Sequence, residues 1–136
     1  MAVVVVTRLR LANKGVLDEF FTAAVALLEQ AQKSPGILNT DVLAEAHDTW
    51  WSCTSWRDRD AMQAFVNTDP HHATMSSLDG WCDEASFVDW DQDGADLPGW
   101  QAAFDRLVGQ GHSAALSNPS PNNAARTFAP PVVDPK

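Results

Sequence analysis

The 136-residue chain has a length suited to one domain, with 45% hydrophobic residues and six tryptophans to build a core. Eighteen acidic residues against nine basic ones give a formal net charge of −9, which excludes a nucleic-acid footprint, because phosphate neutralisation needs clustered Lys and Arg. The apolar run Val3 to Val6 has no basic region before it and is broken at once by Arg8 and Arg10. It is too short for a signal-peptide core or a membrane span, so the expectation is a cytoplasmic protein with Cys53 and Cys82 as reduced, buried thiols.

Residues 2–11, AVVVVTRLRL, read as a strand: Val3, Val5, Thr7, Leu9 and Leu11 share one face, and Val4, Val6, Arg8 and Arg10 share the other. A turn at Asn13, Lys14 and Gly15 leads into an amphipathic helix over 16–33. There Leu17, Phe20, Phe21, Ala24, Leu27, Leu28 and Ala31 recur at spacings of three and four. Ser34, Pro35 and Gly36 end it. Residues 37–46 form the next strand, joined by a tight hairpin at His47 and Asp48 to a third over 49–56, TWWSCTSW. The third strand has no polar face, which implies cover on both sides.

Asp58 or Asp60 can cap a following helix whose apolar side is Ala61, Met62 and Phe65, because a carboxylate accepts from the free N–H groups of a first turn. Thr68, Asp69 and Pro70 begin a further helical segment, with Pro at its first position and Met75, Leu78 and Trp81 inward. Residues 82–91 are a fourth strand. Strand, helix, two strands, helix, strand predicts a ferredoxin-like α+β sandwich, with an antiparallel sheet in the order fourth, first, third, second and both helices on one face. In that order Cys53 and Cys82 lie roughly 9 to 10 Å apart, beyond the ~7 Å Cα limit for a disulfide.

Beyond this domain, taken as 1–91, a helix carrying Leu97, Trp100, Phe104, Leu107 and Val108 occupies 92–110. A Pro-rich tail fills 111–136. Composition alone makes the tail disordered, with Phe128, Val132 and Val133 as anchors if it packs. Helices on one face leave the other sheet face apolar and open, and packing two such faces together in a homodimer covers it and encloses an interior.

The stretch from Trp51 to Trp90, with W-R-D-R-D-A-M-Q-A-F, His71-x-x-x-Met75 and W-C-D-E-A-S-F-V-D-W, resembles small proteins of the dimeric α/β-barrel superfamily, the antibiotic-biosynthesis-monooxygenase-like proteins and relatives of spheroidene monooxygenase. The likeness spans about residues 2–91. It implies a homodimer with a small-molecule site and, in cofactor-independent members, a substrate that itself supplies electrons to oxygen. His71 matches the family's His-x-x-x-Met pattern. An imidazole there acts as a base or ligates haem iron in relatives, and the alternative is a solvated polar residue in a first helical turn.

Arg8 and Arg10 are candidates to hold a carboxylate or phenolate; the alternative is ion pairing with Asp83, Glu84 or Asp89. Trp51 and Trp81, with Trp50, are candidate walls of an aromatic pocket. Asp83 and Glu84, as strand neighbours, face opposite ways and make a poor acid/base pair. The readings are therefore a monooxygenase-like enzyme without a cofactor, a non-catalytic ligand-binding or dimerisation module, or a haem protein. No sequence feature points to a metal site, a nucleic acid or a membrane.

Overall fold

The computed structural model describes residues 1–12, 14–45 and 48–131. In chain order the elements are β1 (Ala2–Leu11), α1 (Leu17–Lys33), β2 (Ile37–Glu45), β3 (Thr49–Trp56), α2 (Arg59–Val66), α3 (His71–Met75), α4 (Leu78–Trp81), β4 (Cys82–Gln92), α5 (Trp100–Gln110) and β5 (His112–Ser113). A short 3-10 turn, Lys14–Val16, precedes α1. The strands form one antiparallel sheet in the order β2-β3-β1-β4-β5. The ferredoxin-like α+β expectation holds, with the two-residue β5 as a fifth strand beside β4.

Local chemistry sets the element ends. The Ser34 hydroxyl donates to the Gln30 carbonyl at 2.6 Å, and Gly36 turns the chain at φ +88°, in the left-handed region that glycine enters without a Cβ clash. Asp58 is the cap of α2, its carboxylate accepting from the Ala61 N–H at 2.8 Å. The single helical segment expected over 71–81 is two short helices, and Pro70 stands just outside α3 as its N-terminal flanking residue. His47 of the expected hairpin lies outside the described residues, as do Asn13, Val132 and Val133.

Two cores sandwich the sheet. On one side Leu9, Leu11, Ala85 and Trp56 pack against Phe20, Ala24 and Ala31 of α1, Ala61 of α2 and Leu78 of α4. On the other, Val4, Val6, Trp51, Cys53 and Val88 are covered by Ala103 and Leu107 of α5 and by Phe128. This corrects the expectation of an open sheet face: the chain supplies its own cover. Fully burying a side chain such as Leu107 contributes roughly 1.5–3 kcal/mol.

The described part of the tail is packed, against its composition, because side chains satisfy its backbone. Asn123 accepts from the Ala85 N–H through Oδ1 at 3.0 Å and donates through Nδ2 to the Ala114 carbonyl at 3.0 Å. Ser117 donates to Asp79 through both its N–H and its hydroxyl at 2.6 Å. Cys53 and Cys82 are free and sit in opposite cores. Among the described residues no helix is long and apolar enough to cross a membrane.

Candidate functional site

A cavity of about 280 Å³ lies between the sheet and its helices, near the lower end of volumes that take small ligands. Strand alternation makes its floor from Val5, Thr7 and Leu9 of β1, Trp50, Ser52, Thr54 and Trp56 of β3, and Thr40 and Val42 of β2. Phe20, Ala24, Leu27 and Leu28 of α1, with His71, Thr74 and Met75 of α3, line the opposite side. Trp81 and Trp50 flank Phe20 edge-on, with centroids 6.1 and 6.0 Å from it.

His71 is held from three sides. Its backbone N–H donates to Gln30 Oε1 at 2.9 Å, and Gln30 Nε2 donates to the Phe65 and Thr68 carbonyls, tying α1 to the segment before α3. The ring lies 4.7 Å from Phe65, which stacks on Trp56 at 5.0 Å. Nδ1 stands 3.2 Å from the Val66 carbonyl oxygen. A carbonyl only accepts, so Nδ1 carries the hydrogen and the neutral ring keeps a lone pair on Nε2. Burial pushes the imidazole pKa below its ordinary 6.5; the Val66 bond opposes this and the neighbouring His72 adds to it. His72 itself is exposed, beside Asp69 at 4.0 Å.

Of the residues singled out from sequence, His71 and Trp81 line this cavity together, and so does Trp50. Arg8, Arg10 and Trp51 do not: they lie on the far side of the sheet. Arg8 Nη1 meets Glu84 Oε1 at 2.5 Å and its guanidinium lies 3.9 Å from the Phe128 ring centroid. Arg10 Nη1 meets Glu84 Oε2 at 2.9 Å. Trp51 is fully buried beneath Trp100 and Phe128, its indole N–H donating to Glu45 at 3.1 Å. The ion-pair alternative describes both arginines. Asp83 and Glu84, expected to diverge, both reach Arg10, because the register shifts between Arg10 and Leu11. Asp89 pairs instead with Arg59 at 2.8 Å, at the cavity's edge.

The hydroxyls of Thr7, Ser52, Thr40 and Thr54 went unnoticed in the sequence. Their signal was there: Thr7 belongs to the β1 face without arginine, the face a helix layer can cover.

A larger hollow of about 720 Å³ between α1 and α2 is an open groove rimmed by Glu29, Lys33, Arg57 and Asp60, and its exposure leaves water in competition with any ligand. Among the described residues no cluster of His, Cys, Asp and Glu is arranged to hold a metal ion. Haem does not fit this cavity of about 280 Å³. Apart from His71, its ionisable lining consists of Asp41 and Asp89, with no Arg or Lys to receive two propionates.

Residues 2–77, more than half of the chain, match the family described as Antibiotic biosynthesis monooxygenase, and the chain belongs to that family. No curated protein matches the sequence. Among solved structures, it is similar to SnoaB of Streptomyces nogalater, a cofactor-independent oxygenase, with a TM-score of 0.56 and 15% identity over 68% of this chain and 94% of that one. A putative antibiotic biosynthesis monooxygenase from Nitrosomonas europaea gives 0.58 and 18% over 67% and 89%. A conserved protein from Methanosarcina mazei gives 0.60 and 18% over 68% and 94%. Likeness at such identities establishes the fold; the family match makes the chain a monooxygenase-like small protein.

Proposed function

We propose that the chain is a cofactor-independent oxygenase of the cytoplasm that acts on a small phenolic aromatic bound between the sheet and the helices. The observation that carries this is the neutral His71 set in the wall of a partly open cavity rich in aromatic side chains. A cavity of ~150 Å³ admits benzene; 280 Å³ therefore suits about two fused rings. Trp50, Trp56, Trp81 and Phe20 supply apolar walls, and a bound ring seated against them displaces water from around the reactive anion.

With 1-naphthol as the example, Nε2 of His71 takes the phenol proton. One electron passes from the naphtholate to O₂, and the radical pair combines at the para carbon. The peroxide takes the proton from His71. Loss of water then breaks the O–O bond while the para hydrogen leaves as a proton, giving 1,4-naphthoquinone. One naphthol and one O₂ give one quinone and one water, with every electron supplied by the substrate. Arg8 and Arg10 take no part. The cavity lies within one chain, so this chemistry needs no second subunit. A homodimer of this chain has to form through surfaces other than the sheet face that α5 and Phe128 occupy.

An oxygen electrode with 1-naphthol tests the proposal. The wild type consumes one O₂ per naphthol, and His71→Gln lowers the rate about 100-fold, in the range typical of lost acid–base catalysis. Tryptophan quenching by 1-naphthol without oxygen uptake would instead make the protein a ligand-binding module.

A further inference from the structure

We infer that Thr7 and Ser52 form a two-donor cradle for one oxygen atom of the ligand, which makes them the residues that select an oxygenated aromatic over a plain hydrocarbon. The inference rests on the cavity reading above and names the group by which that site recognises its ligand.

Thr7 and Ser52 are direct partners across β1 and β3, and both line the cavity. The row they share reads Val42, Ser52, Thr7, Phe87 across four strands, so the two hydroxyls form a polar centre between apolar neighbours. Opposed residues place their Cβ atoms about 4.5–5.5 Å apart. Two O–H···O bonds of ~2.7 Å span about that distance, so both hydroxyls can converge on one oxygen between them. Hydroxyl hydrogens rotate freely, so the pair serves a ketone, a phenol or a phenolate.

Neither hydroxyl has a protein partner among the described residues, and each opens onto the cavity. Valine and alanine would fill the same positions without leaving polar groups to be matched on an apolar floor. Two residues along β3, Thr54 extends the polar strip. Its oxygen accepts from the Trp56 indole N–H at 2.8 Å, which leaves its own hydrogen to donate into the cavity. The anion-holding role that the sequence suggested for Arg8 and Arg10 thus passes to hydroxyls, groups whose neutrality suits a site without a cation.

The test is quenching of the cavity tryptophans by 1-naphthol and by naphthalene, under nitrogen so that no turnover intervenes. It compares the wild type with the near-isosteric double variant Thr7→Val, Ser52→Ala. The wild type is expected to bind 1-naphthol about tenfold more tightly than naphthalene, and the double variant to bind the two alike, with naphthalene held at least as tightly as by the wild type as proof that the cavity has kept its shape. If the wild type binds both alike, or if the variant keeps the preference for naphthol, the cradle is overturned while the cavity reading stands. If neither compound quenches the wild type, the cavity reading falls and the cradle with it. Should the double variant lose naphthalene as well, the single variants Thr7→Ser and Ser52→Thr, which keep both hydroxyls, have to retain the naphthol preference or the inference fails.

Discussion

Arg8 and Glu84 meet at 2.5 Å on the side of the sheet that faces away from His71, with the carboxylate only 1% exposed. Arg10 and Ser120 complete the group, donating to the same carboxylate at 2.9 and 2.6 Å. Removing one member of such a buried pair leaves the other charge unmatched, at a cost of about 3–5 kcal/mol. Glu84→Ala is expected to lose that much unfolding free energy in urea titrations while naphthol binding at the opposite face is retained. A loss below ~1 kcal/mol would mark the pair as no stronger than a surface one.

Two titrations bear on the acid side, one setting in below pH 6.5 at His71 and one below pH 4.5 at Glu84. Burial alone would raise the Glu84 carboxyl, but the Ser120 and Arg8 hydrogen bonds and the charges of Arg8 and Arg10 hold it below its ordinary 4.5. A depressed carboxylate gives stability that is present above pH 4.5 and is lost as pH falls through the folded value. Glu84→Gln should therefore flatten the acid limb of stability measured below pH 4.5.

His71 is also depressed, by burial first, so its neutral form persists below pH 6.5, and its share of stability fades only as acid protonates it. The rate of oxygen uptake should hold through pH 6.5 and fall at lower pH. A wild-type rate that already halves above pH 6.5 would remove His71 as the base.

Leu107→Asp tests the intramolecular cover. A carboxylate at a fully buried position against Val4, Val6 and Val88 should release α5 and expose the apolar sheet face. Sedimentation velocity is expected to show species larger than those of the wild type. An unchanged profile from a folded variant would mean that the face does not need its cover.

Burial pushes both thiols up to about 12, with the charge of Asp41 adding for Cys53 and that of Asp83 for Cys82. A thiol so protonated and enclosed is inert. A disulfide-forming chromogenic reagent at pH 8 should label neither in the native protein and both in denaturant.

Gly36→Ala addresses the corner between α1 and β2. The position needs φ +88°, and an added Cβ would stand 2.5 Å from that of Ala61. The left-handed backbone alone costs of order 1–3 kcal/mol for a residue with a side chain. A thermal midpoint equal to that of the wild type would contradict this account.

How much of this was legible follows from what a strand pattern encodes. The order of elements and of strands was readable because each carries its own periodicity: α1 from Leu17 to Ala31, β1 from its Val run, the caps from Asp58 and Gly36. His71 and Trp81, chosen for their motif and their apolar spacing, both line the cavity. Alternation shows that Arg8 and Arg10 share a face with Val6, but not which layer meets that face. That depends on α5, about 90 residues further along the chain. Trp50 and Trp51 are adjacent, so assigning one to the cavity sends the other to the opposite core; Trp51 went to α5 and Phe128. Ser120 and Asn123 looked like tail composition and turn out to be the pins of a packed segment, since their partners Glu84 and Ala85 are visible only in three dimensions.

The self-supplied cover also sets an order of events during synthesis. β4 ends at Gln92, whereas Phe128, the last described residue of that core, emerges 36 residues later. At ~5–20 residues per second, a nascent chain with its sheet assembled would wait about one to three seconds for Leu107 of α5 and about two to seven for Phe128 before Val4, Val6, Trp51 and Val88 were fully covered. In that interval the finished protein's best-buried surface is its stickiest, and the ribosome-bound chain is the form on which a chaperone has most to hold.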